Sequence, residues 1–175
     1  MKLITFLIYM NLISYQQINV DFKSERIQRS AIIVIDGKIE NVFPLFGPIR
    51  EMEWAEGWNP EIIYRSAPDA LMEEHMIFQT NGHDEKYTWT ISQYRPEHHL
   101  IEYTVSTCER IWFIRVRCQE VGERTEAGVS YTYTALTENG ARKNAHALKS
   151  MFAHNLKDWE EAINYYLKTG KQLTN

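Results

Sequence analysis

Residues 86–136 read KYTWTISQYRPEHHLIEYTVSTCERIWFIRVRCQEVGERTEAGVSYTYTAL, and their pattern decides the fold. Apolar and polar residues alternate over Lys86–Tyr94, Leu100–Ser106, Ile111–Glu120 and Val129–Leu136, as in strands with one buried face. The connections, Arg95-Pro96-Glu97, Cys108–Arg110 and Gly122–Gly128, are short and rich in turn formers. A parallel pair needs a crossover of about a dozen residues or more, so these strands run antiparallel, as a meander.

Working toward the N-terminus, Asn81-Gly82 is a hairpin signal and Pro68-Asp69 a turn, which set off two further short strands at Glu74–Thr80 and Ile62–Arg65. Earlier still, the β-branched run AIIVI (Ala31–Ile35) within Arg26–Asn41 predicts a buried strand, stopped by Asp36-Gly37. Ile39, Val42, Phe43, Leu45 and Phe46 then recur at helical spacing, but Pro44 and Pro48 divide any helix into two short pieces. The second piece carries Glu51, Met52, Glu53 and Trp54 and opens into the loop Gly57-Trp58-Asn59-Pro60. Toward the C-terminus, Thr137–Gly140 leads into one long helix over Ala141–Lys168, with Ala141, Ala145, Leu148, Phe152, Trp159, Ile163 and Tyr166 as its apolar stripe. Such a helix is about 40 Å long, enough to cross a whole sheet, and Gly170 supplies its stop.

The chain has 175 residues, 44% of them hydrophobic and 13% aromatic, which excludes a disordered or collagen-like chain and predicts one domain with a sizeable core. A net charge of −4 lacks the basic excess that nucleic-acid binding requires. Cys108 and Cys118 fit neither a disulfide framework nor a zinc site, and adjacent His98 and His99 point to opposite faces of a strand. No metal and no cofactor is expected. The opening MKLITFLIYMNLISY is too short to span a bilayer, where about 20 apolar residues are needed. It reads as a signal-peptide core, as an extra strand, helix or start-site extension, or as a membrane-surface anchor. Residues 1–23 are therefore set apart from a domain over 24–175; stable membrane insertion is not expected, and a cytoplasmic location is favoured slightly over export.

A strand, two short helices, six antiparallel strands and a long amphipathic helix succeed one another here. Along that order stand Val42-Phe43-Pro44-Leu45-Phe46-Gly47-Pro48, Glu51, Trp54, Gly57-Trp58-Asn59-Pro60, Tyr87-Thr88-Trp89, Ile101-Glu102-Tyr103 and Tyr131–Leu136 before Gly140. On these residues the chain, over Ile27–Lys168, resembles a bacterial member of the START-like (SRPBCC) superfamily, the group that includes polyketide cyclases and activators of a heat-shock ATPase. The resemblance implies an α+β helix-grip fold: a curved antiparallel sheet of about seven strands wrapped on a long C-terminal helix, with two short helices after the first strand. It also implies an elongated cavity for lipids, sterols, polyketides or other apolar molecules.

Residues two apart share a strand face, so Tyr87, Trp89 and Ile91, then Ile101, Tyr103 and Val105, then Trp112, Ile114, Val116 and Cys118 turn toward the helix. The expected function is binding of a small apolar or amphipathic ligand, lipid- or polyketide-like, as carrier or sensor. Trp58 and Trp54 are placed at its mouth, and Trp89, Tyr103, Trp112, Phe152 and Asn155 along its wall. A cyclase- or dehydratase-like enzyme is the first alternative. Its candidate acids and bases, Glu53, Glu102, His75 and His146, form no recognisable constellation, and Glu51 and Glu53 do not face one another. The second alternative is a protein-interaction module, with outward Ile111 and Phe113 beside Arg115 and Arg117 as its surface.

Overall fold

The computed structural model describes residues 22–82 and 85–174. The proposed extension over residues 1–23 therefore lies, through residue 21, outside the described residues. Seven strands form one antiparallel sheet: β1 (Arg26–Ile35), β2 (Glu61–Tyr64), β3 (Ile77–Asn81), β4 (Lys86–Arg95), β5 (Leu100–Ser106), β6 (Arg110–Val121) and β7 (Arg124–Ala135). Their order is β1-β7-β6-β5-β4-β3-β2, so β2 to β7 are the expected meander and β1 adds beside β7. A single helical turn, α1 (Ile39–Val42), runs into a 3₁₀ turn at Phe43–Phe46, and a second 3₁₀ turn covers Arg50–Glu53. The sheet, the short helices and the C-terminal helices make the helix-grip fold.

The β6–β7 hairpin is tighter than its sequence suggests. Val121 pairs with Arg124 across Gly122-Glu123, so β7 begins within the stretch read as a turn. Gly122 has φ +64°, the conformation that a two-residue hairpin takes readily when glycine occupies its first position. In the middle of the sheet the alternation holds: Ile101, Tyr103 and Val105 on β5, and Trp112, Ile114, Val116 and Cys118 on β6, are all buried. Between Ile91 and Gln93 a bulge shifts the register with β5 and turns Tyr94 inward, where it stacks on Phe43 at 6.2 Å. The AIIVI run is not buried throughout. Ile33 and Ile35 are inside, whereas Ile32 is 64% exposed, because β1 is an edge strand with one face on the core.

The C-terminal helix is interrupted. α2 covers Glu138–Met151 and α3 covers Lys157–Thr169, and between them Asn155 and Leu156 both take left-handed backbone, at φ +51° and +59°. Asn tolerates that conformation; Leu156 does not, and its complete burial offsets the strain. The stripe on α2 also differs in phase from the sequence reading. Gly140, Asn144 and Leu148 are buried, and Ala145 is exposed. α3 packs along β1 and supplies hydrogen bonds to the outer edge of that strand. Val34 N–H donates to Glu160 Oε2 at 2.8 Å, Asp36 N–H donates to Asn164 Oδ1 at 2.8 Å, and Asn164 Nδ2 donates to the Val34 carbonyl at 3.2 Å. No helix among the described residues is long and apolar enough to cross a membrane.

Candidate functional site

A cavity of about 420 Å³ lies between the inner face of the sheet, the second 3₁₀ turn with its following loop, and the helix break. Its size is within the range of small-molecule sites. Trp89 from β4, Tyr103 from β5, Ile114 and Val116 from β6 and Tyr131 from β7 form the sheet wall. Phe46 and Glu51 close one side, and Met151 and Trp159, flanking the break, close another. Glu56, Gly57 and Asn59, with Asn81 opposite, are exposed and form the rim around Trp58.

The seven residues expected at the site divide between wall, backing and exterior. Trp58, Trp89 and Tyr103 line the cavity together. Gly57, at φ +78°, turns the chain so that the half-buried Trp58 ring lies edge-to-face with Trp89 at 5.3 Å. Trp54 is a backing residue. It is 2% exposed, donates its indole N–H to the Leu45 carbonyl at 2.8 Å and meets Trp159 edge-to-face at 5.6 Å. Trp112 stands one ring beyond the wall, stacked on Tyr133 at 5.5 Å, with the Arg110 guanidinium 4.8 Å from its centroid. Phe152 packs edge-to-face on Tyr131 at 5.8 Å and borders a separate surface hollow with Arg29 and His146. Asn155 is a correction: its placement on a helical stripe assumed a continuous helix, and in the break it is exposed.

Glu51, which the sequence reading quotes with Trp54 for the resemblance but does not assign to the site, contributes a carboxyl group to this wall. In a 3₁₀ turn residues three apart eclipse, so Glu51 faces the same way as the buried Trp54. That coincidence is the sequence signal that could have found it. Burial pushes its carboxyl from 4.5 up to about 8, with no hydrogen bond or ion pair among the described residues to oppose the rise. Tyr103 and Tyr131 sit close enough to feel it. Burial first, and the Glu51 charge among the lesser causes, hold both phenols well above the usual tyrosine range. The Tyr103 hydroxyl donates to the Phe46 carbonyl at 2.5 Å, which ties the sheet wall to the first 3₁₀ turn.

The other expected acids and bases stand elsewhere. Glu53 accepts from Arg50 at 2.8 Å and from the Tyr166 hydroxyl; burial would raise its carboxyl, but these donors hold it below its ordinary value. Glu102 pairs with Arg115 at 2.6 Å on the outer face, and His75 and His146 are exposed. Ile111 and Phe113 are half-buried on that outer face, with the Arg26 guanidinium 6.0 Å from the Phe113 ring centroid. Burial pushes the Cys118 thiol up to about 12, and among the described residues no three His, Cys, Asp or Glu side chains converge as a metal site would require.

No family model matches the sequence, and no curated protein matches it either. Solved structures do match the fold. Norcoclaurine synthase from Thalictrum flavum, in complex with dopamine and hydroxybenzaldehyde, aligns with a TM-score of 0.61 at 13% identity over 98% of both chains. DynU16, from the dynemicin biosynthetic locus, aligns at 0.56 and 14% identity over 82% of this chain and 48% of its own. Ara h 8.0201 aligns at 0.55 and 10% identity over 84% of this chain and 99% of its own. At such identities the likeness is one of fold, and it is the fold that the START-like resemblance implied.

Proposed function

We propose that this protein encloses a small apolar or amphipathic molecule in the cavity between sheet and α3, as a carrier or sensor. The observation behind this reading is a space of about 420 Å³ walled by Phe46, Trp58, Trp89, Tyr103, Tyr131 and Trp159, with Glu56, Asn59 and Asn81 at its exposed rim. Burial of apolar surface at about 25 cal/mol per Å² supplies micromolar affinity without any catalytic group. That norcoclaurine synthase holds small aromatic molecules on the same fold agrees with an aromatic ligand in a cavity of this size. Native mass spectrometry of the purified protein, followed by organic extraction, tests the reading: a stoichiometric apolar passenger is expected. A clean unliganded mass, with no thermal shift across a panel of lipids, polyketides and aromatic compounds, would overturn it.

A second reading has an observation of its own. A carboxyl that titrates near 8 inside a ligand cavity is suited to proton transfer near neutral pH, so Glu51 would be the acid-base group of a cyclase- or dehydratase-like reaction on a bound polyketide. Turnover of a poly-β-ketone by the wild type and its loss in Glu51→Gln would support this reading, and no turnover by the wild type would reject it.

A further inference from the structure

The charge carried by the cavity wall restricts its occupant more than its shape does. Among the described residues the wall holds two acidic side chains, Glu51 within and Glu56 at the rim, and no Lys, Arg or His. Other half-buried carboxylates have cationic neighbours: Glu53 has Arg50, Glu85 has Arg110 and Lys143, Glu109 has Lys143, and Glu160 has Lys157. Among the described residues the half-buried Glu51 carboxyl has no such neighbour.

The rings around it add to the same polarity. The Trp58 indole N–H is taken by the Pro48 carbonyl at 2.8 Å and that of Trp89 by the Thr80 hydroxyl at 2.9 Å, while the Tyr103 hydroxyl donates to the Phe46 carbonyl. With these three donors engaged by the protein, the Trp58, Trp89 and Tyr103 rings offer an occupant their electron-rich π systems, and Glu51, once ionised, offers acceptor oxygens. A π face and a carboxylate both attract a cation, most strongly where water is excluded. An anionic ligand, such as a fatty-acid carboxylate, would meet two glutamates and, among the described residues of the wall, no counter-charge.

We propose that the ligand of this cavity is an organic ammonium ion on an apolar or aromatic body, its nitrogen set against Glu51 and the Tyr103 and Tyr131 rings. The proposal rests on the cavity being a ligand site and names the class of ligand it takes. A bound cation supplies the counter-charge that the fold withholds from Glu51, and its apolar body fills the space between Trp58, Trp89 and Trp159.

The test uses the full chain and two probes of nearly identical shape, benzyltrimethylammonium and neopentylbenzene, in which carbon replaces the charged nitrogen. Binding is followed through tryptophan fluorescence, since three tryptophans line the wall. Benzyltrimethylammonium should bind at least tenfold more tightly than neopentylbenzene at pH 8. Glu51→Gln should remove most of that preference, read as the ratio of the two affinities within each protein. Equal affinity of the two probes for the wild type, or an undiminished preference in Glu51→Gln, overturns the ammonium assignment and leaves the cavity as a ligand site. Failure of both probes, with no passenger found by mass spectrometry, overturns the ammonium assignment and the ligand-binding reading together. The wild-type comparison stands by itself if the variant does not fold.

Discussion

Replacing Glu51 with Gln should make the protein more stable, and by an amount that depends on pH. The carboxyl ionises near 4.5 in an exposed chain and at about 8 in the folded protein. Between those values the folded state holds a proton that the unfolded state has released. The contribution of the group to stability is therefore fully present below 4.5 and is lost as pH rises through 8. Each pH unit inside this window removes at most about 1.4 kcal/mol, which at pH 7 accumulates to a ceiling of about 3 kcal/mol. Water entering at the rim stabilises the carboxylate and lowers this figure, so about 1–2 kcal/mol is expected at pH 7. Gln is nearly isosteric and does not titrate. In urea denaturation the two proteins should be nearly equal at pH 5, and Glu51→Gln should lead by about 1–2 kcal/mol at pH 7 and by more at pH 8.5. For a chain of this size that lead corresponds to roughly 3–6 °C in Tm. The acids held low by their partners, such as Glu53 and Glu160, have the opposite pH dependence but are present in both proteins and cancel in the difference. A gap that is the same at pH 5 and pH 8.5, or a variant less stable than the wild type at pH 8.5, would refute a desolvated, unpaired Glu51.

The same ionisation should govern cation binding: benzyltrimethylammonium, which has no titration of its own, should gain affinity as pH rises from 6 to 8, by at most about tenfold per pH unit, as isothermal titration would show. Tyr103 and Tyr131, the titratable neighbours of Glu51, keep their protons throughout that range, and rim Glu56 is exposed. Tyr103→Phe removes the donor to the Phe46 carbonyl and should lower stability by about 1–2 kcal/mol in denaturant titration. Gly140→Ala would put a Cβ 2.0 Å from the Glu109 carbonyl oxygen, so it should destabilise by about 2 kcal/mol or more, whereas Gly128→Ala, whose nearest neighbour is 3.7 Å away, should cost about 1 kcal/mol or less by the same measurement.

The meander and the inward faces of β5 and β6 were legible because period-two alternation is local, and each residue type carries its own preference for core or water. That is why the spacing of Trp89 and Tyr103 within their strands was enough to assign both to one interior. Tyr94 could not be assigned in this way, since a single inserted residue after Ile91 reverses facing and leaves no compositional trace. The helix break was hidden for a related reason. Asn155 lowers helix propensity only slightly, and the decisive term is the burial of Leu156, which depends on the sheet beneath it. The same dependence moved Phe152 and Asn155 out of the cavity. The sequence reading quotes Glu51 but leaves it out of the site because it weighs this residue only against Glu53 on a helix; its inward facing follows from the tight pitch of a 3₁₀ turn, which periodicity for an α-helix does not represent.

The side chains of Glu160 and Asn164 do for β1 what another strand would do, and this has a consequence for growth of the sheet beyond one molecule. An open strand edge is a template on which a second chain can add. At the β2 end the template is four residues long. At the β1 end it is ten residues long, and α3 occupies part of it. Because α3 also brings Trp159 to the cavity wall, displacement of this helix would open the cavity and uncover the strand edge together. On the proposed ligand-binding reading, an occupant that holds α3 in place would also keep this strand edge covered.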